Sequence, residues 1–182
     1  MKKLLFILYA TLIGYSAQAQ GILISRNASL SFFSSTPVED IEAKSNQATS
    51  VLDPKTRDII FKVSNTTFEF PKKLMQEHFN EEYIESDKFP YSEFKGKIKD
   101  EVDLSKNGTY TVTVAGTLNL HGVTKPYETK ATLIVNNGSI SAKATFRVKI
   151  ADHDIKVPSI VFKHIAESVD VRVAADYQPK KS

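Results

Sequence analysis

The chain has 182 residues, with 24 Lys and Arg against 21 Asp and Glu, and no cysteine. That length allows one domain of ordinary size with a real core. The near-balance of charge, with no basic block inside the chain, argues against a nucleic-acid surface, and without cysteine no disulfide can staple the fold.

Lys2 and Lys3 precede an apolar run from Leu4 to Gly14, and Ala17-Gln18-Ala19 puts small residues where a signal peptidase inspects the chain. This is the three-part layout of a secretory signal peptide. The run is too short for a spanning helix, which needs roughly 20 residues, so no stable membrane insertion is expected. Residues 1–19 are read as the signal and 20–182 as one mature domain, secreted to the periplasm or else to the medium. The formal charge of +3 drops by two when the lysines leave with the signal. N-x-S/T sequons occur at Asn27, Asn65, Asn107 and Asn137. Two of them are Asn-Gly turns, where Asn serves the backbone.

In the first half, Leu30 and Phe32 alternate with serines, and Ile41 to Leu52 alternates with mostly small and polar residues. Ile59, Phe61 and Val63 form a third run, continuing past Asn65 to Phe68 and Phe70. Pro71 then opens a stretch with Leu74, Met75, His78, Phe79 and Tyr83 at spacings of three and four, which predicts a short amphipathic helix. Phe94, Gly96 and Ile98 make a fourth run.

The second half alternates more strictly. Tyr110, Val112, Val114, Gly116, Leu118 and Leu120 share one face against Thr109, Thr111, Thr113 and Thr117 on the other. His121 to Pro126 reads as a connection, followed by Ala131, Leu133 and Val135 on one side of the next run. Asn137-Gly138 is a strong hairpin signal. After it Ile140, Ala142, Ala144, Phe146, Val148 and Ile150 alternate with polar residues, and Val169, Val171, Val173 and Ala175 close the series. Period two means one face is buried and the other wet.

These are eight sequential strands with short connections, so the fold class is all-β. An eight-stranded antiparallel up-and-down barrel, capped by one short helix, removes the exposed edges. At eight strands the interior is either just filled or holds one small ligand. Gly96, Gly116, Ala131, Ala142, Ala144 and Ala175 among larger apolar residues favour a void; a sandwich in which small meets large is the competing arrangement. Such a wall would favour a long hydrocarbon, at about 0.8 kcal/mol per buried CH₂. The residues expected to face the ligand are Phe32, Phe61, Phe70, Phe94, Val112, Val114, Leu118, Leu133, Ala142, Ala144, Phe146 and Val171 on strands, with Leu74, Met75, His78 and Phe79 on the helix.

Several segments carry a family likeness. They are Phe94-Lys95-Gly96-Lys97-Ile98, Gly116-Thr117-Leu118 with His121-Gly122-Val123-Thr124-Lys125-Pro126, Leu74 to Glu81 continuing to Glu85-Ser86-Asp87-Lys88-Phe89-Pro90, and Ala151-Asp152-His153 with Val157-Pro158-Ser159-Ile160-Val161. Together they resemble the YceI-like group of bacterial secreted lipid- or polyisoprenoid-binding proteins, over roughly Ala28 to Tyr177. The resemblance implies a lipocalin-like barrel with a long isoprenoid-type ligand along its axis and no catalytic residues. The first two strands are more serine-rich here than in many relatives.

No nucleophile elbow, P-loop or dinucleotide glycine motif occurs. Of His78, His121, His153 and His164, none forms an H-x-x-x-H pair, so no metal site and no cofactor are expected. Asp152-His153-Asp154 reads as a solvated loop, and His78 as a satisfied, partly buried histidine or a contact to a ligand head group. Glu77, Glu81, Glu82 and Glu85 read as a wet helix face. The leading expectation is a binding or carrier protein for an apolar lipid. A barrel enzyme acting on a lipid and a filled-core envelope interaction protein are the alternatives, and a homodimer stays open.

Overall fold

The structure, a computed structural model, describes residues 21–157 and 165–179. The expected signal segment, Pro158 to Val161, His164 and the Lys180-Lys181 tail lie outside the described residues. Eight strands follow in order: β1 (Leu23–Ser35), β2 (Asp40–Leu52), β3 (Asp58–Ser64), β4 (Tyr91–Ile98), β5 (Gly108–Leu120), β6 (Val123–Asn136), β7 (Ser139–Lys149) and β8 (Ser168–Pro179). Each pairs antiparallel with the next, and β8 returns to β1, so the sheet is a closed barrel. The expected architecture is therefore the observed one, and the sandwich is excluded. A strand of 13 residues, rising about 3.3 Å per residue and tilted about 40°, gives a barrel roughly 33 Å tall.

Up-and-down order sorts the connections. Those after β1, β3, β5 and β7 gather at one end, the mouth. Those after β2, β4 and β6 gather at the other, the floor, together with Leu23 and Pro179, which pair across the closure. Leu23, Leu52, Ile98, Val112, Val135 and Ile140, all buried, pack the floor. Both two-residue hairpins use positive φ: Asn137 and Gly138 at 48° and 82°, and His121 and Gly122 at 52° and 74°. The expected connection from His121 to Pro126 is thus only two residues long; Val123 already pairs with Leu120, and Pro126 lies inside β6 opposite Thr117.

The long β3–β4 connection carries the cap. A 3₁₀ turn, Asn65–Thr67, ends β3, so Phe68 and Phe70 do not continue the strand as the sequence suggested; Glu69 touches β2 through a bridge to Lys44, and Thr67 through its hydroxyl to Ser45. Helix α1 (Lys73–His78) follows, its N-cap being Lys72, and runs into a π-turn at Phe79–Tyr83. Pro71 therefore stands before the helix rather than in its first turn.

Three features depart from a regular barrel. First, alternation in β1 and β2 changes phase. Ser25 pairs with Ser50, Ala28 with Ala48 and Leu30 with Ser45. One extra residue is accommodated at Arg26-Asn27 and another at Asn46-Gln47, so Leu23, Ser25, Ala28 and Leu30 all face inward, as do Ile41, Ala43, Ser45, Ala48, Ser50 and Leu52. Second, Gly96 opposes Gly116. A Cβ on Gly116 would stand 2.2 Å from the carbonyl oxygen of Lys95, and one on Gly96 would meet the Phe94 ring at 2.6 Å. These glycines permit close approach of β4 and β5; they do not open the space the sequence reading assigned to them.

Third, β6 and β7 part near the mouth. Their pairing runs from the Asn136–Ser139 turn to Ala131–Ala144 and stops. Val123 to Lys130 stay paired with β5, and Thr145 to Lys149 stay paired with β8. Pro126, with no N–H to give, sits in the parted stretch. Side chains bridge the seam: Thr129 Oγ1 donates to the carbonyl of Thr145 at 3.0 Å, and His153 reaches the carbonyl of Val123.

Candidate functional site

The barrel encloses a cavity of about 480 Å³, within the range of small-molecule sites, roughly 300 to 1,000 Å³. On β8 it runs from Val169 to Tyr177, which is roughly 26 Å of strand. Its shape is that of a tube, and its wall is hydrocarbon.

Most residues expected at the ligand line this cavity. The strands contribute Phe32, Phe61, Phe94, Val114, Leu118, Leu133, Ala144, Phe146 and Val171; the cap segment contributes Phe70, Met75, His78 and Phe79. Three do not. Leu74 turns outward and is 60% exposed, because the inner face of so short a helix is taken by Met75, His78 and Phe79. Val112 is buried in the packed floor. Ala142 lies between its partners Leu133 and Ala175, clear of the void.

Phe68, Ile59, Leu120, Tyr127, Val148, Ile150 and Tyr177 also line the cavity and were not picked out from the sequence. Phe68 completes a cluster with Phe32, Phe70 and Phe79, whose contacting rings have centroids 5.1 to 5.8 Å apart. Tilted and edge-on contacts of this kind add to the burial itself. The cluster fastens the cap to β1 and forms one greasy wall under the helix.

The most deeply buried polar groups near the wall are bonded to protein. Asn65, almost fully buried, donates through Nδ2 to the carbonyl of Phe89 at 2.6 Å and accepts from Ser92 Oγ at 2.7 Å. At the deep end Ser50 Oγ donates to the carbonyl of Ile60, so Tyr177 is the donor in its 2.6 Å bond to Ser50. Burial pushes the Tyr177 phenol up to about 12, and the group stays neutral. His78 lines the cavity with no side-chain hydrogen bond to a described residue.

At the mouth, His153 corrects the reading of a solvated loop. It is fully buried, in a 3₁₀ turn (Ile150–His153). Nδ1 faces the carbonyl of Val123 at 3.0 Å and must donate; Nε2 therefore accepts from Tyr127 Oη at 2.9 Å. The two rings stack, with centroids 5.8 Å apart. Burial raises the Tyr127 phenol above its ordinary value, and the charge of Asp152 adds to this.

His121 holds the neighbouring corner. Nδ1 faces the carbonyl of His153 and Nε2 the carboxylate of Glu85, each at 3.0 Å. Glu85 also pairs with Lys88, so it is no part of a wet helix face. Lys88 first, and His121 second, hold the Glu85 carboxyl below its usual value. Phe89 packs edge-on against His121, centroids 4.5 Å apart. Three connections thus meet at one imidazole. Among the described residues no three metal-ligating side chains converge.

A family model, the YceI-like domain, matches residues 23–177. No curated protein matches the sequence. Among solved structures, a polyisoprenoid-binding domain from Saccharophagus degradans, implicated in plant cell wall breakdown, has a TM-score of 0.75 at 14% identity, covering 87% of this chain and 98% of its own. BcnA of Burkholderia cenocepacia has a TM-score of 0.68 at 13% identity, covering 83% and 96%. The YceI protein of Campylobacter jejuni has a TM-score of 0.61 at 13% identity, covering 77% and 85%. At such identities the structures speak for the shared barrel, while the family model spans nearly the whole described chain: this protein belongs to the YceI-like domain family.

Proposed function

We propose that this barrel is a binding or carrier protein for a long apolar lipid, a polyisoprenoid, an isoprenoid quinone or a similar molecule, and that it does no chemistry on its cargo. The observation that carries the reading is the tube inside the barrel, walled mainly by aliphatic and phenyl groups, with the buried Asn65 and Tyr177 already bonded to neighbouring polar groups. A hydrocarbon tail gains about 0.8 kcal/mol per CH₂ moved from water into such a wall, so affinity rises with chain length. The polyisoprenoid-binding relative supports the ligand class. The first 19 residues support secretion, with the periplasm as the place of action.

The test is extraction. Protein purified without detergent is extracted with organic solvent, and the extract is read by mass spectrometry; the emptied protein is then offered polyprenols and quinones of increasing length. A co-purifying lipid, or uptake that strengthens with length, is the expected result. An empty extract together with no uptake of either class would end the reading.

A further inference from the structure

The hydrogen bonds of the His121 imidazole do not fit a neutral ring. Nδ1 lies 3.0 Å from the carbonyl of His153, which can only accept. Nε2 lies 3.0 Å from the carboxylate of Glu85. Lys88 and then His121 hold that carboxyl below its usual value, so Glu85 is ionised and likewise can only accept. A neutral imidazole has one N–H to offer; an imidazolium has two. Both contacts are satisfied together only when His121 is charged.

The surroundings suit a cation. The charged and titratable residues of the elements meeting here are Glu85, Asp87 and Lys88 from the cap, Asp152, His153 and Asp154 from the β7–β8 turn, and Lys125 and Tyr127 from β6. The His153 ring accepts at Nε2 from Tyr127 and adds no charge. Four carboxylates then stand against two lysines. The His121 side chain is only 10% exposed, so water replaces a lost partner poorly. Glu85 and His121 also hold left-handed backbone, at φ of 47° and 52°, which side chains other than glycine adopt at a cost.

This imidazole grips the middle of the cap. The span from Phe79 to Phe89 is fastened at its ends, where Phe79 joins the aromatic cluster and Asn65 holds the carbonyl of Phe89. Between those points, the bond from His121 to Glu85 is the one hydrogen bond among the described residues that ties the span to the barrel. Ile84, next to Glu85, is buried and lines the tube.

We propose that His121 is a proton-operated catch on the mouth: charged, it clasps Glu85 and keeps Ile84 seated over the tube; uncharged, it can serve only one of its two acceptors, and the span from Asn80 to Lys88 swings away. The catch does not depend on which molecule fills the barrel. Histidine is the side chain that changes charge between about pH 5 and 8, so the mouth is latched at the acid end of that range and loosened at the alkaline end. Losing a hydrogen bond between charged groups shifts the ratio of open to latched molecules roughly tenfold or more.

The experiment takes two readings on the mature protein at about pH 5.5 and about pH 8. Imidazole nitrogen NMR counts the protons on His121, its signal assigned by its loss in His121→Asn. Spin labels on Asp87→Cys and Thr117→Cys, both exposed positions in a chain without cysteine, report the distance from cap to wall. At the lower pH, two ring protons and one narrow distance are expected. At the higher pH, one ring proton and a populated longer distance are expected. Glu85→Gln, whose amide can either donate to a neutral ring or accept from it, should fold and lose the pH step, and His121→Asn should populate the longer distance at both pH values. A ring with a single proton at the lower pH overturns the proposal. So does a distance that stays constant while the ring titrates, or a pH step that survives in Glu85→Gln.

Discussion

The hydroxyl of Tyr127 donates to Nε2 of His153 across 2.9 Å, while the other nitrogen of the same ring donates to the carbonyl of Val123. A strand lacking its ladder partner is thus held by a side chain from the β7–β8 connection. Tyr127→Phe keeps the ring and removes the donor, leaving a buried nitrogen without a partner. The expected loss is about 1 to 3 kcal/mol, read as a lower urea midpoint with an unchanged slope. A midpoint equal to that of the parent would show that the bond does not hold the seam.

Acid should loosen the mouth through Glu85. Its carboxyl is held low chiefly by Lys88 and then by His121. A carboxylate with a lower pKa in the folded chain stabilises the fold above its unfolded value, near about 4.3, and loses that contribution as pH falls through the folded value. Glu85→Gln is therefore expected to melt below the parent at neutral pH, with the two curves meeting at low pH. Melting temperatures across the acid range check this. A constant gap at every pH would place the effect elsewhere.

Gly116 tests the close approach of β4 and β5. Gly116→Ala drives a methyl group to within 2.2 Å of the Lys95 carbonyl, and backbone cannot step aside as a flexible side chain can. A loss of roughly 3 kcal/mol or more is expected. Gly108→Ala, whose new atom would meet nothing nearer than 3.4 Å, should change stability by less than about 0.5 kcal/mol. Denaturant titration of both variants decides it; similar losses would remove the steric explanation.

Ala144 lets the tube be filled without disturbing the floor. It lines the void from β7, so Ala144→Phe should project a ring into space now empty. Lipid uptake is expected to fall about tenfold or more, with the melting temperature kept or raised. Undiminished uptake would mean that the cargo lies elsewhere.

Much of this architecture could be read locally. Strict alternation in Thr109 to Leu120, and the Asn137-Gly138 turn, depend only on neighbours in sequence, and they gave the right strands and hairpin. Errors arose where distant partners decide. The phase change at Asn46-Gln47 answers a second irregularity at Arg26-Asn27 on the adjoining strand, and neither pair carries a glycine to announce it. His153, between two aspartates, looks wet until Val123 and Tyr127 are placed beside it. Gly96 and Gly116 looked like missing volume, whereas Gly116 lies against the backbone of Lys95 and Gly96, and Gly96 against the Phe94 ring and the Ala115 carbonyl. Leu74 fits a helical stripe by spacing, but α1 has six residues and only one narrow face to bury.

The pairing of Leu23 with Pro179 fixes where anything joined to this barrel must hang. A reporter, an anchor or a neighbouring domain attached ahead of Leu23 or behind Pro179 departs from the end opposite the helix, far from both the mouth and the side seam. Tethering by either extremity would leave the mouth unobstructed.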